Sequence, residues 1–159
     1  MRKEIRTAIA AAALLAGAPA QAETMDAGGV MTGTTAVEQM EVTEGMVISR
    51  LSTTYDGVEA DDPANPLVGM TGDCSGSTLM GAESAEGSGH CLFTGDGGKV
   101  AFAWTATGRD AEGRMTGTWE IAGGSGDWDG ASGSGEFASL VNPDGGATEN
   151  RVSGEITLP

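Results

Sequence analysis

Glycine interrupts this chain too often for any long helix to survive. It fills 27 of 159 positions, and each glycine inside a helix costs about 1 kcal/mol relative to alanine. Between the glycines lie short runs in which apolar and polar residues alternate, the period of a half-buried strand. Val100, Phe102 and Trp104 alternate with Lys99, Ala101, Ala103 and Thr105. Met115, Gly117, Trp119 and Ile121 alternate with Thr116, Thr118 and Glu120. Val152, Gly154, Ile156 and Leu158 do so with Arg151, Ser153, Glu155 and Thr157. Nearer the start, Val47, Leu51, Thr53 and Tyr55 share one face of a run from Met46. Further strands are expected within 67–80, from His90 onward, and over 132–141 around Phe137. Turn chemistry separates them: a loop over 57–66, a glycine-serine turn over 83–89, and tight turns at Asp96-Gly97-Gly98 and Asn142-Pro143-Asp144-Gly145-Gly146. Seven or eight strands at hairpin spacing, each with one polar face, imply an all-β antiparallel sandwich or up-and-down barrel.

The first residues read differently. Arg2, Lys3 and Arg6 surround Glu4, an apolar run extends from Ala8 to Ala18, and Ala20-Gln21-Ala22 follows. Basic start, short apolar centre and small-residue exit make residues 1–22 an expected secretory signal, cleaved after Ala22. The apolar run is too short and too rich in alanine to span a bilayer. The protein is therefore expected to be exported, periplasmic or secreted, and free of the membrane after cleavage. What remains, 23–159, has the length of one domain. Its small polar opening (Asp26, Gly28, Gly29, Gly33, Thr34, Thr35) reads as a flexible, disordered leader over 23–40, ahead of a domain over 41–159. Thr35 with Glu38 fits a capping box, which predicts a helical turn before Val42.

Charge narrows the partners. The chain carries 8 basic and 23 acidic residues, a net charge of −15. Such a surface repels nucleic acid and anionic lipid, which both require clustered Lys and Arg. The two cysteines, Cys74 and Cys91, lie in the exported part and are expected to form a disulfide. A metal or other cofactor is not expected. His90 is the only histidine, and Asp127-x-Asp129-Gly130 lacks the remaining ligands of a calcium loop. No nucleophile in a recognisable elbow accompanies His90, so no catalytic residue is assigned.

One stretch carries a family likeness. Ile121-Ala122-Gly123-Gly124-Ser125-Gly126, followed by Trp128, Ala131 and Gly133, resembles the strand–turn–strand signature of the allene oxide cyclase and dirigent barrel families, with Trp128 where Phe is usual. Gly72-x-Cys74-x-Gly76, Gly89-x-Cys91, Asp96-Gly97-Gly98 and Trp104 are similar to bacterial exported relatives of that barrel. The two stretches span roughly 67–140. The resemblance implies an up-and-down β-barrel of about eight strands, and in plants a cyclase or a guide for radical coupling. The matching positions are turn glycines and a packing aromatic, so no catalytic residue transfers.

Two functions follow. The first is a non-enzymatic exported barrel that binds a small hydrophobic ligand or a protein partner. Phe102, Trp104, Trp119 and Trp128 are its candidate ligand-binding residues. The second is an isomerase or cyclase acting on a lipid-like substrate. Such an enzyme needs polar groups among the inward aromatics, and the assigned inward faces hold none that ionises, with Arg50 the residue to check. Residues 23–159 include only 32 large apolar side chains, so the expected interior is mostly filled, with a modest apolar pocket near Trp104 and Trp119.

Overall fold

The computed structural model describes residues 22–60 and 62–159, so all but the last residue of the expected signal lies outside it. The described residues contain no helix. Nine strands follow one another: β1 (Glu23–Asp26), β2 (Gly29–Thr43), β3 (Met46–Glu59), β4 (Thr71–Met80), β5 (Ala85–Gly95), β6 (Gly98–Arg109), β7 (Met115–Gly126), β8 (Ser132–Val141) and β9 (Gly146–Leu158). Each of β2 to β8 pairs antiparallel with the next, and β9 returns to β2, closing an eight-stranded barrel. β1 extends the line of β2 and pairs with the end of β9. Closure rules out the sandwich.

The opening of the domain is not a leader. Residues 23–40 lie in β1 and β2, so the barrel begins at Glu23 rather than at residue 41. Thr35 caps no helix: it is buried in β2, and its hydroxyl bonds to that of Thr53 at 2.8 Å. The physical reason is closure. Without β2 the edges of β3 and β9 would be left unpaired, and small polar residues suffice for a strand whose ladder both neighbours supply. The turn expected over 83–89 is shorter than expected, because β5 starts at Ala85, opposite Met80.

The interior is built by aromatics lying on glycines. A Cβ at Gly76 or Gly89 would collide with the Trp104 ring, and one at Gly154 with Trp119. Tyr55, Phe93, Phe102 and Trp119 form a chain of rings with centroids 6.1, 5.6 and 5.5 Å apart. Each edge-to-face pair contributes about 0.5–1.5 kcal/mol beyond burial.

Cys74 and Cys91 sit directly opposite each other on β4 and β5 and form the expected disulfide. Replacing either cysteine by Ser is expected to lower unfolding stability by about 2–5 kcal/mol in urea titration. Alkylation of both thiols without prior reduction would show the bond to be absent.

At the β6–β7 turn, Arg114 is 7% exposed and donates to Glu149 at 2.8 Å and to Glu112 at 3.3 Å. Arg151 joins Glu149 at 3.1 Å. The hydrogen bond from Arg114 holds the Glu149 carboxyl below its ordinary value of 4.5, against the effect of burial and with help from both positive charges. The stability this supplies is complete above the unfolded value and is lost as pH falls through the lower folded one. Glu149→Gln is therefore expected to flatten the acid limb of the stability–pH curve below about pH 4.5 while changing little near neutrality beyond a fixed offset.

Candidate ligand-binding site

Strand alternation decides what faces the barrel axis. On β5 to β8 the inward positions carry Phe93, Phe102, Trp104, Trp119 and Phe137. On β3 they carry Leu51, Thr53 and Tyr55, and on β8 and β9 they carry Ser139, Asn150 and Val152. These side chains surround a cavity of ≈ 80 Å³. Leu67, from the loop between β3 and β4, also lines it and is 2% exposed. That loop is held by Asn65, which donates to the Gly28 carbonyl and accepts from the Leu67 amide. The Cys74 and Cys91 side chains form part of the cavity wall.

Three of the four aromatics chosen from the sequence meet here. Phe102, Trp104 and Trp119 line the cavity. Trp119 is fixed by a hydrogen bond from Nε1 to the Ser153 carbonyl at 3.1 Å, and Trp104 packs edge-on against Phe137 at 6.2 Å. Trp128 does not line it. It lies in the β7–β8 turn, 3% exposed, against the backbone of Gly124. It belongs to the same buried cluster as the cavity aromatics but not to the cavity wall. Arg50 is exposed on the outer wall of β3, and His90 is likewise exposed on β5.

Sequence reasoning passed over a polar group at the cavity. Tyr55, Ser139 and Asn150 converge on it from β3, β8 and β9. Extending the alternation of β9 two residues back from Val152 would have reached Asn150. The same period carried on from Phe137 leads to Ser139. Burial, the largest effect, pushes the Tyr55 phenol above its ordinary value of 10.0, while hydrogen bonding with Ser139 and Asn150 pulls the other way. At neutral pH the phenol is thus uncharged, a hydrogen-bonding group rather than a base. No Asp, Glu, Lys, Arg or His is among the described residues that line the cavity. The arrangement can bind an apolar molecule and orient one polar substituent.

Tyr55 is the only tyrosine in the chain, which makes its titration readable. Phenolate absorbance is expected to rise at a higher pH in the folded protein than in denaturant, where an unperturbed phenol titrates near pH 10. The buried neutral form supports the fold fully below that value, and the support is lost as pH climbs through the folded one. Coincident folded and denatured titrations would place the phenol in solvent.

No family model and no curated protein matches this sequence. Among solved structures it is similar to a pterocarpan synthase dirigent protein, with a TM-score of 0.50, 12% identity, and coverage of 85% of this chain and 91% of that one. A protein of unknown function from the DUF3224 family of Shewanella oneidensis MR-1 aligns with a TM-score of 0.46 and 13% identity over 79% of this chain and 96% of the other. A pyocyanin demethylase aligns with a TM-score of 0.45 and 14% identity over 82% and 99%. At this identity the likeness to the dirigent protein is one of fold alone.

Proposed function

We propose that this protein is an exported, non-catalytic barrel of the allene oxide cyclase and dirigent type that holds one small, mainly apolar molecule in its interior. The observation that carries this reading is the cavity itself, walled by aromatic rings and thioethers with no charged side chain among its lining residues. Apolar concavity with a few convergent polar groups is the usual form of a small-molecule site. Acid–base turnover of a lipid-like substrate would need an ionisable group near neutrality, and Tyr55 is held away from that range by burial. Export is supported by the basic, apolar and small-residue order of residues 1–22 and by the compatibility of the Cys74–Cys91 bond with an oxidising compartment.

Volume limits the occupant. A cavity of about 150 Å³ lined by aliphatic and aromatic groups takes up benzene, so ≈ 80 Å³ fits no more than about one ring with adjustment. Met31 and Met115 line the cavity and can supply that adjustment, since thioether chains repack readily.

Bromobenzene tests the reading directly, because its bromine quenches indole fluorescence on contact. Saturable quenching with a Kd on the order of 0.1–1 mM is expected, equivalent to about 4–6 kcal/mol, with Trp128 contributing an unquenched remainder. Val152→Phe, which fills the cavity, should abolish the effect while circular dichroism stays that of the barrel. Linear, unsaturable quenching unaffected by that substitution would refute interior binding. Conversion of a bound ring compound into a rearranged product would refute the non-catalytic part.

A further inference from the structure

Closure of the barrel leaves part of the β2 edge open. β2 pairs with β3 as far as Thr43, but its other edge pairs with β9 only from Gly29 to Thr35. The β8–β9 turn shields the next two residues: a Cβ on Gly145 would stand 3.0 Å from the Thr35 carbonyl oxygen and 3.8 Å from the Val37 nitrogen. Beyond them, Glu38 to Thr43 make no backbone hydrogen bond on that side to any described residue. All six are exposed. They present about 20 Å of unpaired backbone, at about 3.3 Å per residue. An open edge of this kind is a template for an added strand.

The side chains specify what would be added. Met40 and Val42 on the edge strand are 45% and 49% exposed. Met40 lies level with Ile48 on β3, and Ile48 with Leu79 on β4, which is 39% exposed. An apolar stripe thus crosses the outer wall of three strands and stops at the free edge. Acidic groups accompany it: Glu38 and Glu41 on the edge strand and Glu44 at the hairpin tip. The hairpin's single cation, Arg50, stands opposite Glu38 on β3, behind the edge rather than on it. A second copy pairing along this edge would set glutamates against glutamates on neighbouring strands, which is destabilising, between chains that each carry −15.

We propose that the Glu38–Thr43 edge of β2 is a docking site for an extended segment of another protein in which apolar and cationic residues alternate. The segment adds a strand beside β2, extends the Met40–Ile48–Leu79 stripe with its apolar side chains on the outer face, and sets its cations on the opposite face against Glu41, since Glu38 shares the outer face with Met40. This site is separate from the cavity, and neither depends on the other being occupied.

The test uses the full chain and a fluorescein-labelled peptide of alternating Lys and Val. Saturable binding by anisotropy is expected, falling steeply as salt is added, together with slowed amide exchange confined to Glu38–Thr43. Alternate N-methylation of the peptide, which removes strand pairing while keeping its charge, should weaken binding at least tenfold. The substitution Glu41→Lys should do the same and confer binding of the matching Glu-Val peptide. This residue is exposed, so the fold should withstand the exchange. Absence of binding, or equal binding of the N-methylated peptide, would overturn the proposal. So would sedimentation as a dimer with the same amides protected without peptide, which would assign the edge to a second copy.

Discussion

Everything in this fold depends on β9 being paired along both of its edges. It bonds to β8 from Val141–Thr148 to Ser132–Thr157 on one side, and to β2 and then β1 on the other. That one strand turns a meander into a barrel and leaves β2 and β8 with partners they would otherwise lack. Its route is helped by Ala27, fully buried where β1 gives way to β2, whose amide donates to the Gly154 carbonyl. The interruption keeps β1 and β2 on one line while letting the backbone bend around the barrel.

Once the barrel is closed, its interior must be filled by a chain poor in large apolar residues. The solution is unequal side-chain size across neighbouring strands. Trp104 covers Gly76 and Gly89, Trp119 covers Gly154, and Phe137 covers Gly117. A glycine beside a large ring leaves no gap where two medium residues would leave one. The remaining space, ≈ 80 Å³, lies between this aromatic wall and the hydroxyl and amide groups of Thr53, Tyr55, Ser139 and Asn150. Polar groups from β3, β8 and β9 thus interrupt an otherwise apolar lining.

The same hydrogen-bonding rule that closes the barrel also explains where it stays open. β2 is longer than the β9 segment that meets it, so Glu38 to Thr43 continue past the rim with only β3 beside them. Acidic residues within this stretch discourage pairing with another copy of the chain, the usual hazard of an unpaired edge. The cavity and the open edge thus arise from one topology but present different surfaces, one interior and mainly apolar, the other extended and anionic.

Alternation by itself determined most of the strands and which way their side chains face. Val100, Phe102 and Trp104 on β6, Met115, Gly117 and Trp119 on β7, and Val152 and Ile156 on β9 all turn inward as their period requires, because neighbouring residues of a strand must point to opposite sides. Proximity of the two cysteines followed as well, since a hairpin turn between them places β4 beside β5. Local sequence did not reveal β2, because its Gly and Glu residues read as a polar opening even though its Thr and Val residues favour strands, and the hydrogen bonds that β3 and β9 offer settle it. Nor could it separate Trp128 from Trp104 and Trp119, since all three join one apolar cluster and only the tertiary structure sets Trp104 and Trp119, but not Trp128, on the cavity wall. Tyr55, Ser139 and Asn150 are far apart in sequence and share a site only because the closed barrel brings β3 face to face with β8 and β9. Period-2 patterning acts within a strand, whereas the meeting of strands across the barrel depends on closure, which is a property of the whole chain.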